Sequence, residues 1–250
     1  MARVDYDAMA SSYDAGRAVP LTALEPWRRA LAPYVSAEGL VLDLGSGTGI
    51  FAEAFARWFG ARVIGVEPSA GMRARAVLER PHPLVVYVGG AAEHLPLKRG
   101  SCRVAWLSTV IHHFSRLEEC APEMRHALAP NGAVLIRSAF ADRLDHIRLF
   151  HYFPEARAVA ETFPTVRATV NAFAAVGFAV VALHRVTQQW APSLRDYANR
   201  VRLRADTTLA ALTEAEFSAG LRRLDLDVAH EHEPSPVIDG LDLLVLGRRG

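Results

Sequence analysis

Three groups of residues in this sequence have types and spacing that suit chemistry. Asp43-Leu44-Gly45-Ser46-Gly47-Thr48-Gly49 sets three glycines within five positions behind an acidic residue. Glycines there let the backbone turn tightly and let a ligand approach with no Cβ in the way. Glu67 follows twenty positions after Gly47, where a carboxylate ending a strand accepts hydrogen bonds from both ribose hydroxyls of a nucleoside. The competing reading of Glu67 is a cap on the helix that follows. His112-His113 is the third group. Imidazole titrates near neutrality, so it suits the removal of a proton from a reacting atom. His113 is the preferred base candidate and His112 its alternate; the competing reading packs one ring under the sheet edge.

These groups need elements that bring them to one place. Gly39–Leu44 is a short apolar run ending in Asp43 and the glycine cluster, the pattern of a buried parallel strand. A helix is expected over Ile50–Phe59, closed by Gly60 as its C-cap, then a strand over Arg62–Glu67 and a helix over Ser69–Arg80. Strands follow at Leu84–Gly89, Arg103–Leu107 and, after the Asn131-Gly132 turn, Ala133–Arg137, with a helix at Leu117–Leu128 between the last two. Strands alternating with helices imply crossover connections and a parallel sheet. Beyond it, Pro164–Val176 reads as a helix, Phe178–Val186 and Leu241–Leu246 as strands, and residues 193–228 as two or three helices. No linker separates a second domain.

The glycine pattern admits more than one nucleotide ligand. A dinucleotide site wants G-x-G-x-x-G, whereas the third glycine comes one residue early, at Gly49. A phosphate-binding P-loop is absent, because no Gly-Lys-Ser/Thr follows. The 250 residues carry 28 basic against 27 acidic side chains, a net charge of +1, so no basic surplus is left for binding a phosphate backbone. Lys98 is the only lysine, the mark of a GC-rich, bacterial type of genome. The acidic start of the chain (Asp5, Asp7, Asp14) does not look like a signal peptide, and no uncharged stretch is long enough for a bilayer. A cytoplasmic protein with no membrane partner is expected. Cys102 and Cys120 lack both a neighbouring base and ligand spacing, and read as inert thiols. His112, His113, His146 and His151 are not read as a metal site, since adjacent histidines rarely converge on one ion.

The run LDLGSGTG (42–49), then GVEPSAGM and GGAAEHLPL, resembles the class I S-adenosylmethionine-dependent methyltransferases. Within them it looks closest to the group of ubiquinone/menaquinone-biosynthesis enzymes and small-molecule methyltransferases of bacterial secondary metabolism. Tyr6-Asp7-Ala8-Met9-Ala10-Ser11-Ser12-Tyr13-Asp14 resembles the N-terminal helix that covers the cofactor in that group. The resemblance implies an α/β fold, a three-layer Rossmann-like sheet of seven strands, mostly parallel with the last strand antiparallel, and helical lid insertions. It implies lid helices over 1–35, a cofactor-binding core over 36–140, a substrate lid over 141–165 and a helical insertion at about 190–236. S-adenosyl-L-methionine would be the cofactor and S-adenosyl-L-homocysteine its product.

Carried onto this chain, the resemblance puts Tyr13 and Arg17 over the cofactor, with Arg17 near the methionine carboxylate. Gly45, Ser46 and Gly47 would lie along the methionine and ribose, and Asp43 would hold the ammonium group through water or the loop backbone. Glu67 would take the ribose hydroxyls, Pro68 and Met72 would line the adenine, and Ala91-Ala92-Glu93 would close over it. Leu107 and Ser108 would end the fourth strand beside the ammonium group. The family often has aspartate where this chain has Ala91, so one charge-assisted hydrogen bond to the adenine amino group, of order 1.5–3 kcal/mol, is missing.

A small-molecule acceptor is expected beyond the fourth strand, with His112 or His113 orienting or deprotonating it. Phe140–Phe163 would roof its pocket, Phe150, His151 and Tyr152 offering aromatic surface and Tyr6 a lid contact, while Trp190 supplies the other wall. The plainer alternative makes these aromatics core. Two other functions stay open: the same fold catalysing cyclisation or only binding the cofactor, and a nicotinamide-dependent oxidoreductase, disfavoured by Gly49 and the AEHLP stretch. A nucleic-acid methyltransferase fits neither the charge nor the motifs.

Overall fold

The computed structural model describes residues 21–114 and 116–249. Tyr6, Tyr13 and Arg17 therefore lie outside the described residues. Seven strands form one sheet: β1 Leu40–Leu44, β2 Arg62–Val66, β3 Val85–Val88, β4 Cys102–Ser108, β5 Leu128–Ser138, β6 Phe178–Ala191 and β7 Val237–Arg248. Their order is β3-β2-β1-β4-β5-β7-β6. The first five pair in parallel, and β7 runs antiparallel to both β5 and β6. The expected α/β architecture, with its antiparallel last strand, is what the chain adopts.

The helices are α1 Glu25–Leu31, α2 Ile50–Phe59, α3 Ala70–Glu79, α4 Leu117–Ala127, α5 Leu149–Tyr152, α6 Pro154–Ala160, α7 Val166–Ala174, α8 Leu194–Val201, α9 Thr207–Ala210 and α10 Glu214–Ala229. In α2, Ala52, Phe55 and Ala56 fall at helical spacing and are buried, which fixes the helix against the sheet. Gly60 ends it at φ 63° and donates its N–H to the Ala56 carbonyl, the left-handed cap that a residue with a Cβ adopts only at a cost. One sheet face packs Trp27, Phe55, Trp106, Leu135 and Leu243. The other packs Leu42, Leu107, Met124, Phe173 and Phe178.

A third apolar cluster lies apart from the sheet core. It joins Phe150, Phe153 and Ala156 of α5 and α6 to Tyr197, Leu209, Phe217 and Leu224 of the late helices. Its support is an extension of the final hairpin. β5 stops pairing at Ser138, opposite Asp242, while β6 and β7 continue together from Val186↔Leu241 to Ala191↔Val237. Helices α8 to α10 connect the two strands across that projecting ribbon. Among the described residues no helix is long and apolar enough to cross a membrane.

Candidate active site

The carboxyl ends of β1, β2 and β4 place the glycine loop and the acidic strand ends side by side. Gly45, Gly47 and Gly49 have φ of 66°, 54° and 83°. A Cβ at Gly49 would stand 2.1 Å from the Tyr87 hydroxyl, while one at Gly47 would meet nothing within 4 Å. The loop is thus pinned from behind and open in front. Its position is set by main-chain bonds: Gly45 N and Ser46 N donate to the Val66 carbonyl at 2.7 and 3.3 Å. Glu67 is buried, and its Oε2 accepts from Gly47 N at 3.0 Å while its Oε1 accepts from Ser69 N at 2.9 Å. That carboxylate ties the glycine loop to the start of α3.

Asp43 is 2% exposed, and its Oδ2 has no hydrogen-bond partner among the described residues. Burial, helped by the negative charge of Glu67, pushes its carboxyl up to about 8. The Ser46 hydroxyl is likewise buried without a partner. An ammonium group beside Asp43 would satisfy its orphaned oxygen, so the loop fits a cationic ligand extending from a nucleoside.

Asp43, Gly45, Ser46 and Gly47 also line one end of a cavity of about 230 Å³. From there it runs past Ser108, Thr109 and His112 to Phe150, Phe163 and Trp190, and its far side is lined by Tyr197 and Arg200 of α8 and by Asp239 of β7. Glu67, Pro68, Met72, Ala91, Ala92, Glu93 and Leu107 are not in its lining; Glu67 connects to it through Gly47. Met72, Ala92 and Leu107 are buried, Pro68 is exposed, and Ala91 and Glu93 are half-buried. Ala91 pairs with His94 in an isolated bridge.

Both histidines sit in a short 3-10 turn, Ile111–His113. The His112 ring lines the cavity and stacks on Phe163 with centroids 4.2 Å apart. His113 is exposed, its ring 4.0 Å from that of His112. Of the two rings, His112 is the one that lines the cavity. Of the expected aromatic roof, Phe150 lines the cavity. His151 is exposed instead, and the Tyr152 hydroxyl turns away to donate to Asp227 at 2.9 Å.

Several residues of the site carry no motif. Arg137, buried at the end of β5, donates to Ser108 Oγ at 3.2 Å and lies 4.9 Å from the Trp27 ring centroid. It closes an apolar run with a charge, as Asp43 and Glu67 do, and that signal was available in the sequence. Thr109 turns the chain after β4 with φ 53°, a left-handed conformation rare for a residue with a Cβ. Gln188 and Asp239 lie on the ribbon beyond the expected strand ends. Among the described residues no group of three or more His, Cys, Asp or Glu side chains is placed to hold a metal ion.

The glycine loop, the strand-end acid and this strand order belong to a Rossmann-like fold that the chain shares with solved methyltransferase structures. Residues 42–136 match the family model described as a methyltransferase domain. An uncharacterized methyltransferase of Mycobacteroides abscessus is 34% identical over 126 residues, 47% of this chain and 48% of that protein, so the match spans about half the relative's length. A putative methyltransferase from an antibiotic biosynthesis pathway of Anabaena variabilis superposes with a TM-score of 0.69 at 22% identity, covering 88% of this chain and 95% of its own. The (4+2)-cyclase SpnF gives 0.68 at 18% identity, covering 98% and 94%. Geranyl diphosphate C-methyltransferase of Streptomyces coelicolor, bound to S-adenosyl-L-homocysteine, gives 0.58 at 16% identity, covering 90% and 76%. At those identities the solved structures establish the fold.

Proposed function

We propose that this protein is an enzyme that uses S-adenosyl-L-methionine to methylate a small-molecule acceptor, of the kind made in bacterial secondary metabolism in the cytoplasm. The observation that carries the reading is one continuous cavity, lined at one end by Asp43 and the glycine loop and at the other by His112, Phe150, Phe163 and Trp190. A methyl donor and an acceptor placed at its two ends would meet inside it.

The residues fit the cofactor. Glu67, tied to the glycine loop, would take the ribose hydroxyls, Gly47 leaves open space, and Asp43 Oδ2 would take the ammonium group. When bound, the cofactor supplies a methyl group on a positively charged sulfur, already activated for in-line displacement. The chain's part is alignment and exclusion of water. His112 orients the acceptor or takes its proton, held flat by the stack on Phe163. The lid over 141–165 and the insertion over 190–236 wall the acceptor in.

The test is incubation with S-adenosyl-L-methionine and a panel of hydroxylated and amino-bearing ring compounds, read by formation of S-adenosyl-L-homocysteine together with a methylated product. Conversion of an acceptor without S-adenosyl-L-homocysteine contradicts methyl transfer. That outcome belongs to a second reading, a non-methylating reaction on the same fold, which the absence of a carboxylate at Ala91 favours.

A further inference from the structure

Toward the insertion, the cavity wall holds a hydrogen-bonding pattern that cofactor binding leaves unused. Gln188 and Asp239 are direct cross-strand partners in the β6–β7 ribbon. Side chains at such a pair leave the same face of the sheet, their Cβ atoms about 4.5–5.5 Å apart. Both line the cavity, and they are 3% and 8% exposed.

The Gln188 amide is oriented from behind. Trp27 Nε1 donates to its Oε1 at 2.6 Å, and Arg137 Nη2 donates to the same oxygen at 3.4 Å. Reversing the amide would set its NH2 group against two donors, so Nε2 points the other way. There Nε2 is buried and has no hydrogen-bond partner among the described residues. A buried donor left in that condition is costly unless a ligand supplies the acceptor. Asp239 beside it has the opposite polarity. Its Oδ1 accepts from Gly240 N at 2.9 Å and its Oδ2 from Arg148 N at 3.0 Å, and each oxygen retains a further lone pair.

We propose that Gln188 and Asp239 together read a carboxamide or lactam edge on the acceptor molecule. The ligand carbonyl accepts from Gln188 Nε2, the neighbouring ligand N–H donates to Asp239, and an apolar ring system lies against Phe150 and Trp190. A ligand carboxylate would set two negative charges together, and a lone hydroxyl spans only one of the two positions. The inference deepens the acceptor-site reading above and rests on it.

The probes are 1-naphthamide and 1-methylnaphthalene, which share the ring and differ in the amide. Each is titrated by ligand-observed NMR at pH 7.5 into the full chain loaded with S-adenosyl-L-homocysteine. Wild type should bind the amide about tenfold more tightly than the hydrocarbon, the effect of two added hydrogen bonds. Gln188→Glu keeps the oxygen that Trp27 and Arg137 use but removes the donor, and Gln188→Leu removes both. Either variant should cut that preference to about threefold or less, one of the two hydrogen bonds being lost, and Gln188→Glu serves alone if the leucine variant fails to fold. Equal affinities in wild type, no binding of the amide, or an undiminished preference in Gln188→Glu overturns the proposal. Titration of S-adenosyl-L-homocysteine into each protein reports the cofactor reading separately. Loss of that binding in wild type would refute the parent assignment, whereas its retention with no amide preference refutes only the Gln188–Asp239 role.

Discussion

The proposed nucleotide end and the proposed acceptor end of this molecule are built by different means. At the nucleotide end, main-chain amides of Gly45, Ser46, Gly47 and Ser69 meet the Val66 carbonyl and the Glu67 carboxylate, all within 25 residues of sequence. At the acceptor end, the wall is assembled from Arg137, Phe150, Phe163, Gln188, Tyr197 and Asp239, which span a hundred positions and five or more elements. The first end is fixed by backbone conformation that few residue types permit. The second is fixed by side-chain packing on a ribbon that projects past the sheet, where many sequences fit. Binding of a common cofactor needs the first kind of construction; selection among acceptors is served by the second.

The sharpest way to break this contrast is to loosen one end alone. Phe153 is fully buried in the insertion cluster, stacks on Phe217, and sits where Gly220 leaves room for it. Phe153→Ala should cost about 3–5 kcal/mol of packing there. Hydrogen exchange should rise across α5, α6 and α10 while affinity for S-adenosyl-L-homocysteine stays within about twofold, a margin set for independent sites. Equal loss at both ends would show that they are one unit.

Within the acceptor end, His112→Ala is expected to lower kcat by about a hundredfold if the ring takes a proton, with cofactor affinity retained. His113→Ala, on the exposed neighbour, should leave kcat within about threefold by the same reasoning. Single-turnover rates of the two variants check the assignment; a larger loss for His113→Ala would reverse it.

A smaller effect separates the ends by pH. The carboxyl of Asp43 sits at about 8 in the folded chain, above its ordinary value of 3.8. A raised folded value means that this group's stabilising contribution is complete below 3.8 and is lost progressively as pH rises from there through about 8. Asp43→Asn should therefore raise the melting temperature of the ligand-free protein relative to wild type far more at pH 9 than at pH 5. The thermal melts of both proteins across that range decide it. A parallel pH dependence would mean that Asp43 is not the group responsible.

The two ends also differed in how far they could be read from residues alone. The helix over Ile50–Phe59 and its Gly60 cap are observed as expected, because apolar spacing and a left-handed glycine are local signals. β2 and α4 lie within a residue or so of their expected bounds. The ribbon was not legible. Thr187, Gln188 and Gln189 interrupt the apolar pattern, so the strand was expected to stop at Val186, yet those residues stay in β6 because they pair with β7 beyond the sheet core. Asp239 follows a polar, proline-containing stretch that carries no strand pattern. Part of that stretch does structural work, since the Glu231 carboxylate accepts from Leu194 N at 2.8 Å at the start of α8. His112 and His113 are adjacent, and only the turn Ile111–His113 decides which ring faces the cavity.

The central claim is that the glycine loop and Glu67 hold S-adenosyl-L-methionine. Calorimetric titration of wild type and Glu67→Ala with S-adenosyl-L-homocysteine, beside NADH and NADPH, tests it most directly. Wild type should bind S-adenosyl-L-homocysteine alone, with micromolar affinity, weakened roughly 10- to 100-fold in Glu67→Ala as charge-assisted hydrogen bonds are lost. Unchanged affinity in the variant, or binding of a nicotinamide cofactor alone, would contradict it.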